Sequence, residues 1–414
     1  MKVGDIANEN ASRYGKPLDG VRVLAIEQMQ ALPFGTQLLA RLGAEVVKVE
    51  HPTQGDSGRG ASPAITDADG RRAGATFLRN NLGKRSVGID LKAPQGRDLV
   101  LALAPKFDVV AENYKAGTMT RLGLGYDDVA AVHPAVIYLS ISGFGNEPSP
   151  YSGWPAYAPV AEAMSGIYEY KREHGKPPVV APSGALGDTS TSLFGVIGVL
   201  AALRHRDRTG EGQYVDVAML DSMVAMADLV PNFWSLGLHF GGPGPELIID
   251  GFKASDGWFI VQVGREHQFE RLAKLVGHPE WVDDPRFATR AGWRDHTNDV
   301  IRPAVEAWAS NLTKLEASEQ LCAAGVAAGP SNHAEDVVHD PHVANRHMLV
   351  ELARVDGVDQ PVLIPGNPVK MSKVAEGPET PPPGVGEHTA AVLGAELGLD
   401  DAALAELRAA GVIT

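Results

Sequence analysis

The run Gly187-Asp188-Thr189-Ser190-Thr191-Ser192 stands directly before the apolar stretch Leu193-Phe194-Gly195-Val196-Ile197-Gly198-Val199-Leu200. A short acidic residue, then hydroxyl residues, then a helical apolar run predicts a helix N-terminus, where backbone N–H groups would hold the carboxylate ionised. A fixed carboxylate of this kind can cap a helix or act as a covalent nucleophile, and the local sequence leaves Asp188 with both readings. A second chemical feature is a set of cations in the same half of the chain: Lys84, Arg85, Lys92, Lys115 and Arg121. Converging at strand ends they would hold phosphates, Arg through its planar fork and Lys as a point charge; scattered, they are a solvated surface.

The elements that must position these groups begin with a β-α-β pattern. Val21-Arg22-Val23-Leu24-Ala25-Ile26-Glu27 reads as a buried strand, residues 33–42 as a helix and Val46-Val47-Lys48-Val49-Glu50 as a second strand. Further strands at residues 108–113 and 136–142 predict an open, mostly parallel α/β domain. Ligands of such sheets bind beyond the carboxyl ends of the strands, which places residues 28–33 and 113–117 at a binding crevice. A long helix over about 189–205 precedes a charged turn, a strand at 214–219 and a helix over about 220–236. After the glycine-rich run His239-Phe240-Gly241-Gly242-Pro243-Gly244-Pro245 the texture changes. A hairpin at 251–263 and helices near 266–276, 300–310 and 313–324 read as a smaller α+β domain over 245–330.

Composition bounds the function. The 414 residues carry 37 Lys and Arg against 51 Asp and Glu, a formal charge of −14, which argues against a nucleic-acid or anionic-membrane binder. The single cysteine, Cys322, excludes an intrachain disulfide and Cys-based metal sites, and fits the cytoplasm. No signal-peptide core and no run of about 18 apolar residues is seen, so neither export nor a membrane span is expected. The first strand is followed by Gln28-Met29-Gln30-Ala31-Leu32-Pro33 rather than Gly-x-Gly-x-x-Gly, against a dinucleotide cofactor. P-loop, zincin and Gly-x-Ser-x-Gly signatures do not occur either.

Several ordered segments resemble the family III CoA-transferases, the group of formyl-CoA transferase and carnitine CoA-transferase, with the α-methylacyl-CoA racemases as relatives. They are Leu18-Asp19-Gly20-Val21-Arg22-Val23-Leu24, the run from Leu42 to Glu50, the run from Gly83 to Lys92, Ala111-Glu112-Asn113-Tyr114 with Arg121-Leu122-Gly123, Ser140-Ile141-Ser142-Gly143-Phe144-Gly145 and Arg208-Thr209-Gly210-Glu211-Gly212-Gln213. Asp340-Pro341-His342-Val343 and Gly386-Glu387-His388-Thr389 match as well. The resemblance implies an α/β fold with a large Rossmann-like domain and a smaller α+β domain, in an interlocked homodimer. The large domain would take residues 1–225 together with the returning segment 345–414.

The resemblance further implies that Asp188, in its Gly-Asp pair, attacks an acyl-CoA thioester, after which CoA passes to a carboxylic acid through enzyme-bound anhydride and thioester species. Acyl-CoA and a small carboxylic acid are then the substrates, with no prosthetic group and no metal. Gln30 and Ala31 match residues lining the family's active site, with Gln30 orienting the acyl carbonyl. Tyr157 matches a tyrosine near the reacting centre. His51, Ile89, Leu91 and Lys92 match the adenine and ribose-phosphate side of the CoA channel, and Asn113, Tyr114 and Arg121 its other wall. The residues alone leave Gln30 as a polar strand end and Tyr157 as core.

Departures from the family pattern qualify the expectation. His51 stands where formyl-CoA transferase has an arginine on adenine, and the candidate lid Gly241-Gly242-Pro243-Gly244 contains a proline. The racemases' His-Asp run has no counterpart in Ser152-Gly153-Trp154-Pro155, which puts an epimerase second. A non-catalytic acyl-CoA binder is the alternative from another class. A dicarboxylate acceptor would want a cation near Asp188, for which Arg265 and Lys253 are candidates; an aryl acid would want an apolar pocket, for which Phe233 and Trp234 are candidates, ordinary helix packing being their other reading.

Overall fold

The structure is a computed structural model describing residues 1–146, 149–169, 175–180, 185–238 and 246–414. It divides into two compact units, Met1–Phe240 with Asn345–Thr414, and Gly241–Ala344. The candidate lid at 241–244 lies outside the described residues.

The first unit is built on six parallel strands: β1 (Arg22–Ile26), β2 (Glu45–Glu50), β3 (Lys84–Gly88), β4 (Val109–Glu112), β5 (Ile137–Ser142) and β6 (Gln213–Ala218). Their order across the sheet is β3-β2-β1-β4-β5-β6, that of doubly wound nucleotide-binding sheets, in which the order reverses between the first strand and its far neighbour. Leu24 pairs with Val47 on one side of β1 and with Val110 on the other.

Helices cover both faces, so the strands are apolar on both faces and read as continuous hydrophobic runs. Leu24 and Ile26 face one core layer together with Val100 and Leu103, while Val23 and Ala25 face the other with Leu32, Leu39, Val199 and Leu203. The first layer is completed from far along the chain, by Val392, Leu393, Leu404, Val412 and Ile413.

The helices needed for the site are α1 (Ala31–Arg41), α2 (Ala75–Asn80), α3 (Pro94–Leu103), α4 (Ala158–Ser165), α5 (Leu186–Thr209) and α6 (Met219–Met226). Later come α7 (Thr389–Leu397) and α8 (Asp401–Ala409). α5 runs past the predicted end at His205 and closes at Gly210, whose φ of 79° is the left-handed conformation that glycine reaches without a Cβ penalty. Contrary to the expectation of no apolar span, α5 is by length and composition apolar enough to cross a membrane, its hydroxyl and glycine residues interrupting the apolar run without lowering its mean hydropathy far. Half of its most apolar window is buried inside the protein. Gly195 lets it lie close against Leu139 and Ile141 of β5, and Gly35 lets α1 approach its backbone at Ser192.

The second unit holds an antiparallel sheet in which β8 (Trp258–Val263) lies between β7 (Ile248–Lys253) and β9 (Ala327–Pro330). Its core is aromatic: Phe269 stacks on Trp293 at 4.7 Å and 3°, with Trp281 and Phe287 alongside.

Candidate active site

Where the strand order reverses, the chain leaves β1 and β4 side by side, and their following loops are tied together. The Gln28 backbone N–H donates to Asn113 Oδ1, and Asn113 Nδ2 donates back to the Gln28 carbonyl, both at 2.9 Å. Beyond these ends opens a cleft of about 480 Å³, lined by Ala31, Asn113, Tyr114, Tyr157 and Asp188, with Gln28, Met29, Lys115 and Trp154 among its other walls. Five of the residues expected from sequence therefore share one cleft, although they come from four separate stretches of chain.

Asp188 is not a helix cap. α5 begins at Leu186 after Ala185, and no side chain caps it. Gly187 explains this geometry: a Cβ there would sit 3.0 Å from the Ala158 Cα and 3.1 Å from Met219 Sδ, so only glycine lets the first turn pack against the starts of α4 and α6. The Gly187 N–H is already taken, donating to Glu162 Oε1 at 3.0 Å. Glu162 is buried and its other oxygen accepts the Tyr168 hydroxyl. The Asp188 carboxylate consequently has no hydrogen-bond donor among the described residues. Burial first, then the neighbouring Glu162 charge, pushes its pKa up to about 6, against the opposing pull of Arg79. The expected backbone-stabilised anion is thus a desolvated one, more basic and less encumbered.

Arg79 is a residue that the sequence did not single out. It sits near the end of the short helix α2, donates from Nη2 to Gln30 Oε1 at 2.5 Å, and has its backbone carbonyl held by Gln37 Nε2. Partial burial pulls its guanidinium pKa down, and the Asp188 charge partly restores it. Gln30 itself precedes the first turn of α1, so its side chain is presented by the same β1–α1 loop that lines the cleft.

Beneath that loop lies a buried array of charges. Glu27 Oε1 accepts from Lys84 Nζ at 2.6 Å and Lys48 Nζ at 3.4 Å; Lys48 reaches Asp56 at 2.8 Å; Arg59 forks onto Glu50 at 2.6 and 2.8 Å. Three cations answer three carboxylates, the condition for keeping charges in a low-dielectric interior. The array reaches the cleft through Asp56, whose Oδ1 accepts the Met29 and Gly58 N–H groups at 2.8 and 2.7 Å. Met29 takes a φ of 62°, a strained value for a side chain with a Cβ, which these bonds hold in place. Lys84, read from sequence as a phosphate candidate, is completely buried in this array. Arg85 pairs with Glu45 instead of turning to the cleft.

The remaining expected residues stand away from the cleft lining. Exposed His51 directly follows β2, its Nδ1 accepting from the Thr53 and Gln54 N–H groups. Ile89 is 1% exposed and bridges to Ile413, so its side chain serves the core, and Leu91 packs beside it. Lys92 and Arg121 are exposed, the former with its N–H on Asp90, the latter donating to Thr118. Arg265 and Lys253 belong to the second unit. Among the described residues no group of His, Cys, Asp and Glu is arranged to hold a metal.

The chain belongs to CoA-transferase family III, whose profile matches residues 18–389. It is 35% identical to succinyl-CoA:mesaconate CoA-transferase of Haloarcula hispanica over 91% of this chain and 95% of that protein. Against succinate–glutarate CoA-transferase of Agrobacterium fabrum the identity is again 35%, over 91% and 95%. Among solved structures it is similar to a CAIB/BAIF family protein from Brucella suis, with a TM-score of 0.79 and 33% identity over 92% of this chain and 99% of that one. The protein is accordingly a family III CoA-transferase, with CoA thioesters as its substrates.

Proposed function

We propose that the protein moves CoA from an acyl-CoA to a dicarboxylic acid, with Asp188 as covalent nucleophile. An Asp188 oxygen attacks the thioester carbonyl and CoA leaves as thiolate, giving an aspartyl-acyl anhydride. The thiolate then attacks the aspartyl carbonyl, releasing the donor acid and leaving an aspartyl-CoA thioester. The acceptor carboxylate displaces the thiolate to form a second anhydride, and the thiolate takes the acceptor acyl group, restoring Asp188. Activated acyl bonds are conserved throughout, which requires a site that excludes water.

The observation that carries this reading is the Asp188 carboxylate: it faces the cleft, lacks a hydrogen-bond donor among the described residues and has its pKa raised to about 6. At neutral pH it is mostly ionised yet poorly solvated, which suits a nucleophile. The relatives' names supply the dicarboxylate class. Asn113 and Tyr114 supply one wall for the CoA arm in this reading, with Lys92 and Arg121 as outlying phosphate contacts and Gln30 polarising the acyl carbonyl. A homodimer completes it, supported by the exposed stripe Leu193, Ile197 and Leu200 on α5 at helical spacing i, i+4, i+7. The lone Cys322 fits a reducing compartment such as the cytoplasm.

The test is peptide mass spectrometry after mixing the protein with succinyl-CoA and quenching with hydroxylamine, beside Asp188→Ala. A hydroxamate on Asp188, absent from the variant, is expected. Bound CoA with Asp188 unlabelled overturns the covalent route.

A further inference from the structure

The buried carboxylates Glu27, Glu50 and Asp56 are answered by Lys84, Arg59 and Lys48. Glu112, the last residue of β4, is not. It is 4% exposed, and among the described residues no Lys, Arg or His pairs with it. Lys115, the nearest cation along the chain, donates to the Gly153 carbonyl at 2.6 Å instead. Only neutral donors hold Glu112: the Ser140 hydroxyl on Oε1, and the Tyr114 N–H on Oε2 at 2.7 Å. The sheet register builds this contact. Glu112 lies opposite Ser140 on β5 and Ser140 opposite Asp216 on β6, and paired residues of parallel strands show their side chains on the same face.

Asn146 joins the far end of this row to the loops above it. Its Nδ2 donates to Ser140 Oγ at 2.8 Å and to Asp216 Oδ1 at 3.3 Å, its backbone N–H donates to Asp216 Oδ2 at 2.8 Å, and its Oδ1 accepts the Gly117 N–H at 3.1 Å. A carboxylate on one side and a backbone N–H on the other fix which way the amide points. The loops so joined carry Asn113, Tyr114 and Lys115 after β4 and Ser142, Gly143 and Phe144 at and after the end of β5, all of which line the cleft that holds Asp188.

From this chain of bonds we infer that Glu112 is a positioning residue for CoA: ionised, it sets Ser140, Asn146 and Gly117 so that the two loops form a wall fitted to the CoA arm, and protonated, it releases them. The inference rests on the reading of Asn113 and Tyr114 as that wall. An ionised carboxylate only accepts, so Ser140 donates to it and is left to accept the Asn146 amide. A protonated Glu112 must donate, and Ser140 is the hydroxyl in reach. The Ser140 proton then needs Asn146 Oδ1, which takes that oxygen from the Gly117 N–H. Burial pushes the Glu112 pKa up to about 7, the Ser140 and Tyr114 donors oppose this and the Asp216 charge adds to it, so both forms are populated near neutral pH. The ionisable groups that face Glu112 are Asp216 of β6, Tyr138 of β5 and Tyr114, and burial raises the pKa of both tyrosines, which keeps them neutral in this range.

The experiment is calorimetric titration of CoA into the parent, Glu112→Gln, Asn146→Ala and Tyr114→Ala between about pH 5.5 and about pH 8.5. With its oxygen on the Tyr114 N–H, the glutamine must donate to Ser140 and so fixes the protonated arrangement at every pH. Parent and Glu112→Gln should bind alike at the acid end, and the parent should become roughly 3- to 10-fold tighter at the alkaline end, the worth of one or two hydrogen bonds. CoA and the remaining protein groups titrate alike in both, so the ratio reports Glu112. Asn146→Ala, which keeps Glu112 but cuts its link to Gly117, should lack the rise as well, and it carries the test should Glu112→Gln fail to fold. A residue that serves the fold alone would weaken binding by the same factor at each pH; a constant ratio, or affinities equal to the parent's throughout, overturns the inference. Unchanged affinity in Tyr114→Ala refutes the wall and the inference with it, whereas weakened binding there beside a constant ratio refutes the inference alone. Neither result bears on Asp188 as nucleophile, because no turnover is measured.

Discussion

Asp188→Asn keeps the size of the side chain and removes its charge, and the structure requires this variant, inactive in the proposed mechanism, to be the more stable protein at neutral pH. The unfolded carboxyl titrates near 3.8, whereas burial and the Glu162 charge raise the folded one to about 6. Because the folded state holds the proton to higher pH, the parent's stability is intact below the unfolded value and is lost as pH rises through the folded one. Taken over the whole interval, the loss amounts to about 3 kcal/mol at a pH of about 7.5, and to roughly half of that at about pH 5. The variant has no such loss. Its unfolding midpoint in urea should therefore exceed the parent's by a margin that grows from about pH 5 to about pH 7.5, contributions from the other titrating groups cancelling in the comparison. Hydroxylamine-trappable acyl-enzyme should be absent throughout. A variant that is less stable than the parent at both pH values, or whose margin is independent of pH, would refute the argument that Asp188 is a destabilised anion.

Two further outcomes follow from the same geometry. Glu162→Gln preserves an acceptor for the Gly187 N–H while removing the charge beside Asp188, so the acid limb of the kcat/KM profile should move down by several tenths of a pH unit to about one unit. Glu112, which burial pushes up to about 7, titrates in both proteins, so the displacement between the two profiles isolates Asp188; coincident profiles would remove Glu162 from the account. Leu193→Asp combined with Ile197→Asp places two charges on the exposed apolar stripe of α5; under the homodimer proposed above, light scattering should find the parent dimeric and the variant monomeric, whereas an unchanged mass would exclude this face from the interface.

The parallel sheet was legible because burial on both faces writes its strands as unbroken apolar runs, as in Val23-Leu24-Ala25-Ile26. The placing of Asp188, Asn113 and Tyr114 at one cleft was legible because ligand crevices open beyond the ends of such strands and because a Gly-Asp pair at a helix start stands out. Arg79 was not: in Arg79-Asn80-Asn81 it reads as ordinary polar surface, and only the approach of α2 to the β1–α1 loop gives it a role. Glu162 was hidden for a related reason. In Ala161-Glu162-Ala163 nothing announces a buried carboxylate, because its partners are a backbone N–H and a tyrosine brought by the fold. Lys84 misled in the opposite direction, since the carboxylate that neutralises it, Glu27, comes from the end of a different strand, β1. The capping reading of Asp188 failed because the sequence does not reveal that another carboxylate reaches the α5 start first.

One consequence concerns the order in which the chain acquires its structure. The core layer on one face of the sheet is sealed by Val392 and Leu393 of α7, Leu404 of α8, and Val412 and Ile413, and Thr414 bonds back to the Pro52 carbonyl. The unit of residues 241–344 is continuous and intervenes before that seal is made. During synthesis this inserted unit can complete its own core while the earlier sheet is still open on one side. The unit that carries the cleft is therefore the later to mature, and a nascent chain halted just after residue 344 would expose Leu24, Ile26, Val47 and Val87 to chaperones.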